Sequence, residues 1–145
     1  MKPLIALLAL AALVAAPSAM AARDAAPKPT LTVRSSQYGR VIFDSNGRAL
    51  YAFTADRRNR SNCSGACLVA WPAYIVRGTL RAGPGTNRRL LGTIRRADGR
   101  RQATYNGWPL YYYRGDRRPG EIRCQNVDHF GGIWRVVRPG GTLVR

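Results

Sequence analysis

The stretch "RALYAFT" (48–54) alternates with the period of a strand, which puts Leu50, Ala52 and Thr54 on one face and Tyr51, Phe53 and Ala55 on the other. "WPLYYYR" (108–114) repeats the arrangement, with Leu110, Tyr112 and Arg114 opposite Tyr111, Tyr113 and Gly115. In each stretch the Tyr and the second aromatic share a face and make a wide apolar strip. Its expected role is core packing, with the Tyr hydroxyls finding a partner at the rim. Both stretches belong to copies of one phrase, N-G-x-x-L-Y-x-[FY]-x-x-D, at 46–56 and 106–116. Its last residue, Asp56 or Asp116, falls where the strand should end. A carboxylate there can accept backbone N–H bonds and close a turn.

Asn46-Gly47, Asp98-Gly99 and Asn106-Gly107 predict hairpin turns of two residues, with positive φ at both central positions. The second and third would join three consecutive strands into a meander, and Pro109 belongs at a strand start or an edge. "CSGACLVAW" (63–71) is the one stretch with helical character, with Ser61 or Asn62 to cap it and Pro72 to stop it. "WPAYIV" and "IWRVVRP" read as equivalent closing strands led by Trp71 and Trp134, while the Gly- and Pro-rich segment 77–89 reads as an irregular surface connector. A hairpin cannot bury its aromatic face alone, so the duplication predicts that two halves cover each other. The expected fold is all-β: two β-hairpin repeats, about 38–78 and 90–140, packed into one compact domain, sandwich- or barrel-like. At most one short helix is expected, near 63–70.

The N-terminus has a different character. Lys2 precedes an apolar run from Leu4 to Ala16, and "SAMAA" places Ala19 and Ala21 at the small positions of a cleavage site. The run is shorter than the roughly 20 residues a membrane-spanning helix needs. The expected organisation is a signal peptide over 1–21, a flexible leader over 22–30 and a single domain of two repeats over 31–145. No cysteine follows the apolar run to carry a lipid, so the expected product is periplasmic or secreted, and soluble after cleavage.

Charge adds a functional constraint. The formal net charge is +17, or +16 without Lys2, and almost all the basic residues are Arg. Such a charge favours adhesion to polyanions, which outside the cytoplasm means anionic envelope polymers or phosphorylated lipids. The alternative is that Arg codons simply accumulate on a solvated surface. No recognition-helix pattern or aromatic RNA-binding motif accompanies the charge, which argues against specific nucleic-acid recognition.

The pattern Y-x-[FWY]-x-x-D, present as Tyr51, Phe53, Asp56 and again as Tyr111, Tyr113, Asp116, resembles the signature of a family of bacterial secreted-repeat proteins. These are catalogued as lipoproteins with a Yx(FWY)xxD motif and have no characterised function. "CSGACLVAWPAY" is similar to the family's C-x-G-x-C…W-P segment, and the likeness runs from about Tyr38 to Gly140. The resemblance implies export and carries no biochemical activity with it. This chain departs from many members in lacking the lipoprotein cysteine and in having Cys124.

An oxidising compartment makes a disulfide the default for Cys63, Cys67 and Cys124. The resemblance implies Cys63 with Cys67. At positions i and i+4 of a regular helix the pair would sit near the limit for bridging, at about 6 Å between Cα atoms, so it needs a turn or a distorted helix. Cys124 bonded to either would instead tie the halves together, and an odd thiol remains in any case. The competing reading is a copper or zinc site built from Cys63, Cys67, Cys124 and His129. Against it, His129 lies in a polar segment typical of a surface residue, so no cofactor is expected. Hydrolytic chemistry has little basis beyond Asp56 and Asp116, which could converge as a carboxylate pair if the halves pack about a pseudo-twofold. Tyr74, Trp108 and Tyr112 either form an exposed aromatic surface beside Arg or complete a second packed face. The functional expectation is a non-enzymatic binding or structural module of the cell envelope, with a redox or metal-handling protein as the alternative.

Overall fold

The computed structural model describes residues 29–145; the expected signal peptide and nearly all of the expected leader lie outside the described residues. Leu31 and Val33 alternate with Thr32 and Arg34, and this stretch forms β1 (Thr30–Ser36), an element beyond those expected from the turn signals. It pairs antiparallel with β2 (Gly39–Asp44), from Leu31↔Asp44 to Ser36↔Gly39. A hairpin then leads into β3 (Tyr51–Phe53), the first motif strand. A short helix, α1 (Ala66–Ala70), follows. The connector is more ordered than expected: its β4 (Arg81–Ala82) pairs in parallel with the start of β1, and Val33 N donates to Pro84 O at 3.0 Å. The connector therefore covers an edge that β1 would otherwise expose.

A single 3₁₀ turn (Arg88–Leu90) opens the second repeat. The expected meander follows as β5 (Leu91–Arg95), β6 (Arg101–Tyr105) and β7 (Trp108–Pro109). Pro109 sits at the outer strand, where its missing N–H costs nothing. The chain ends through β8 (Val127–Asp128) and β9 (Ile133–Val136). The described residues thus form three small sheets, ordered β2-β1-β4, β3-β9-β8 and β5-β6-β7, with no closed barrel.

Each motif strand is closed by the other repeat. β3 pairs with β9, Tyr51 opposite Val136 and Phe53 opposite Trp134. In the reciprocal arrangement the second motif strand pairs with the end of α1 and the segment after it: Tyr112 N donates to Pro72 O at 2.8 Å and Arg114 N to Ala70 O at 3.0 Å. Thr54 N to Ile133 O, 2.9 Å, is the first repeat's counterpart of the Arg114 bond. Where the two halves meet, Tyr51 and Tyr111 exchange both backbone hydrogen bonds, each 2.9 Å. The Trp-led closing strands are thus present, but the first is broken into isolated bridges at Ala73 and Ile75.

Both faces of the motif strands are buried, with the alternation that their period of two predicts. Tyr51, Phe53 and Tyr111 join Trp71, Trp134, Val41 and Phe43 in one core. Leu50, Ala52 and Leu110 join Leu31, Ile42, Ala103 and Tyr105 in the other. Tyr74 is buried in this second core, and Trp108 and Tyr112 pack against it, so these rings complete a packed face and do not form a free aromatic surface.

Two local expectations are corrected. Only Asn106-Gly107 has positive φ at both positions; at the other two turns Gly47 and Gly99 alone do. There Asp44 N donates to Arg48 O and Gly47 N to Asp44 O, the pattern of a three-residue loop with its Gly in the left-handed position. The Asp44 side chain enforces it by accepting Asn46 N at 2.9 Å and Arg48 N at 2.8 Å. The helix starts at Gly65 without a side-chain cap, because Ser61 and Asn62 are engaged elsewhere.

Candidate functional site

The strands carry Tyr51 and Tyr111 side by side into one core, and the turn after each strand ends in Asp56 or Asp116. The pairing is crossed. Tyr51 Oη donates to Asp116 Oδ2 at 2.6 Å, and Tyr111 Oη donates to Asp56 Oδ2 at 2.7 Å. The other carboxylate oxygen closes a loop as expected: Asp56 Oδ1 accepts Asn62 N at 2.6 Å, and Asp116 Oδ1 accepts Arg123 N at 3.0 Å. Both carboxylates are buried. Each Asp therefore holds its own repeat's loop with one oxygen and the opposite repeat's Tyr with the other.

The rings follow the same crossing. Phe53 stacks on Trp134 at 4.3 Å, Trp134 on Trp71 at 3.9 Å, and Trp71 meets Tyr113 at 4.7 Å. Tyr51 sets its edge against Trp71 at 5.3 Å and Tyr111 against Trp134 at 5.1 Å. Such offset and edge contacts add about 0.5–1.5 kcal/mol each beyond burial. The indole N–H groups are satisfied at the rim by one residue: Trp71 Nε1 donates to His129 Nδ1 at 3.2 Å, and Trp134 Nε1 to His129 O at 3.0 Å.

The two pairs differ in surroundings. Around Asp56–Tyr111, Ser61 Oγ lies 2.6 Å from Tyr111 Oη, while Arg96 donates to Ser61 Oγ at 2.9 Å, to Cys63 O at 2.8 Å and to Gln102 Oε1. Aligning the repeats on their hydrogen bonds puts Ile122 where Ser61 stands and Val41 where Gln102 stands, both buried and apolar. Burial pushes the Asp56 carboxyl up to about 6, against the opposing pull of Asn62 N–H, Tyr111 and Arg96. Burial also raises Asp116. Tyr51 and Tyr111 are driven well above the ordinary phenol range, chiefly by burial and then by the facing carboxylate. These hydroxyls are therefore standing donors at neutral pH. Both oxygens of each carboxylate are committed to hydrogen bonds, one to the opposite Tyr and one to a loop amide.

The cysteines follow the repeat too. Cys63 and Cys67 are disulfide-bonded with Cα atoms 5.4 Å apart, and the left-handed Gly65 before α1 supplies the required turn. Cys124 follows Arg123 as Cys63 follows Asn62, so it is the second repeat's copy of Cys63, with Asp128 where the partner cysteine would be. It is half-buried and free. Desolvation raises its thiol, with Tyr113 opposing. His129 is exposed. Among the described residues no group of three or more His, Cys, Asp or Glu side chains is placed to hold a metal ion.

A third Tyr–Asp link between repeats escaped the motif reading. Tyr112 Oη donates to Asp44 Oδ2 at 2.9 Å under the Arg48 guanidinium, which lies 4.1 Å from the ring centroid. Tyr74, pushed up to about 12 by burial and then by the Asp44 charge, packs beside Tyr112 at 5.3 Å. The signal for Asp44 was its place two residues before Asn-Gly, where an Asp side chain captures turn amides.

Among the described residues no helix is long and apolar enough to cross a membrane. No curated protein and no solved structure matches the chain. A family model described as a secreted repeat of unknown function matches twice, over residues 32–74 and 92–138, each match spanning one of the interlocked repeats. With most of the folded chain inside those two matches, the protein belongs to this family of secreted repeats.

Proposed function

We propose that the protein is a non-enzymatic module of the cell envelope, free in the periplasm or secreted after signal cleavage, that adheres to anionic envelope polymers. One observation carries the reading: the fold consumes acidic groups internally and leaves the arginines outside. Asp44, Asp56 and Asp116 are buried. Of the described arginines, all but Arg48, Arg96 and Arg135 are exposed. Among the described residues only Arg100–Asp98 and Arg123–Glu121 form ion pairs. The surface is therefore more one-signed than the composition alone implies, and long-range attraction to polyanions follows. The crossed Tyr–Asp pairs and stacked indoles supply rigidity, not a reaction centre. Against a metal-handling role, Cys63 and Cys67 offer no thiolate while they are bonded to each other.

The test is co-sedimentation of the mature protein with isolated bacterial envelope material across a salt series. Retention at low salt that is lost on approaching about 1 M, where the screening length falls to about 3 Å, supports the reading. Absence of retention at low salt, or retention indifferent to salt, overturns it.

A further inference from the structure

Resting on that reading, we propose that the polymer is a phosphate-bearing chain and that it binds along one groove track beside the connector. Four clefts of ≈ 330 to ≈ 580 Å³ adjoin one another there. The first, between the connector and Tyr74–Tyr112, shares Thr79 and Arg81 with the second. The second shares Leu91 with the third, and the third shares Asn59 with the fourth. Arginines line every one: Arg77 and Arg81 the first, Arg88 the second, Arg58 and Arg89 the third, Arg60 and Arg95 the fourth.

Charge along this track is almost unopposed. Among the described residues Asp44 is the only acidic side chain lining any of the four clefts, and its oxygens are taken by Asn46, Arg48 and Tyr112. Asp98, next to the fourth cleft, is held by Arg100 at 2.7 Å. The side chains of Arg77, Arg81, Arg88 and Arg89 are exposed and make no hydrogen bond or ion pair among the described residues. A guanidinium without a partner offers a planar fork of donors that matches phosphate oxygens two at a time. Asn59, exposed at the junction of the third and fourth clefts, adds a neutral donor, and the Trp108 ring lies 5.3 Å beneath Arg58.

Shape selects a chain over a membrane. A row of concave clefts admits an extended polymer but cannot lie flat on a headgroup plane. The exposed large apolar residues, Val69, Val127 and Phe130, line none of the four, so the track carries no apolar anchor.

The experiment measures binding of the mature protein to long-chain inorganic polyphosphate and to phosphatidylglycerol vesicles across a salt series. Two triple variants remove equal charge: Arg81→Gln/Arg88→Gln/Arg89→Gln on the track, and Arg114→Gln/Arg117→Gln/Arg118→Gln off it. All six residues are exposed, and unchanged circular dichroism checks the fold. The proposal expects the track variant to lose at least tenfold in polyphosphate affinity. Its log–log salt slope should fall by about 2, from three contacts at about 0.7 each for a single-stranded polyanion. The off-track variant should change less than twofold. Equal losses in the two variants overturn the track while leaving adhesion to polyanions standing. Tighter binding to vesicles than to polyphosphate overturns the choice of a chain. Failure of the unmodified protein to bind either probe, or envelope material, overturns both proposals.

Discussion

Lowering the pH from 7.5 to 5 should stabilise this protein through Asp56. Its carboxyl titrates near 6 in the folded chain and near 3.8 when exposed. Between those values the native state binds more protons than the unfolded state, so stability falls as pH rises through the window. The whole penalty, present above about pH 6.5, is about 2–3 kcal/mol, and lowering the pH to 5, about one unit below the folded value, recovers about 1.4 kcal/mol of it, at about 1.4 kcal/mol for each tenfold change in proton affinity. The structure shows why the neutral form is tolerated. A protonated Asp56 can donate to Tyr111 Oη, which can turn its own proton toward Ser61 Oγ, 2.6 Å away. The Asp116 pair has Ile122 in place of Ser61 and cannot reverse in this way, although burial raises its carboxyl too. The assay is urea unfolding by tryptophan fluorescence from pH 5 to 7.5 with the disulfide intact, on the wild type and Asp56→Asn. The wild type should show a higher midpoint at pH 5 with an unchanged slope, and the variant should lose most of that dependence. Self-repulsion from the high positive charge is common to both proteins, so it cancels in the comparison. A wild-type midpoint that is flat or falls toward pH 5, or equal dependence in Asp56→Asn, would refute the reasoning.

Two further outcomes follow from the core. Trp134→Ala should cost about 3–5 kcal/mol, measured by urea unfolding. Stacked indoles 3.9 Å apart couple their transitions, so either Trp71→Phe or Trp134→Phe should abolish the paired circular-dichroism bands of the wild type. Alkylation of the native protein without reductant should modify Cys124 alone and slowly, because desolvation raises its thiol. Opening the Cys63–Cys67 bond should cost about 2 kcal/mol for so short a loop, read as a lower urea midpoint with reductant; modification of three thiols before reduction would contradict the bond.

The faces of the motif strands could be read from sequence because a period of two assigns Leu50 and Tyr51 to opposite cores regardless of neighbours. The crossing could not. The two copies of the phrase offer Tyr51 both Asp56 and Asp116, and only tertiary placement chooses between them. Ser61 and Asn62 look like helix caps by residue type, yet the Ser61 hydroxyl meets Tyr111 Oη while Asn62 gives its backbone N–H to Asp56 and its side-chain amide to Ala55 O, so tertiary demands outweigh a local preference. Asn46-Gly47 and Asn106-Gly107 look alike, but Asp44 gathers two amides and lengthens the first loop by a residue. The surface track was illegible for a different reason. Its arginines come from the connector, the loop after β3 and the end of β5, and their isolation depends on the burial of acids that composition counts as neutralising.

Whether the repeats truly interlock through exchanged side chains is measured most directly by double-mutant cycles in urea. Tyr51→Phe combined with Asp116→Asn should show a coupling energy of about 1.5–3 kcal/mol, that of a buried hydrogen bond to a charged group. Tyr51→Phe combined with Asp56→Asn, the pair within one copy of the phrase, should be additive to within about 0.5 kcal/mol. Strong coupling in the second cycle and additivity in the first would contradict the crossed architecture.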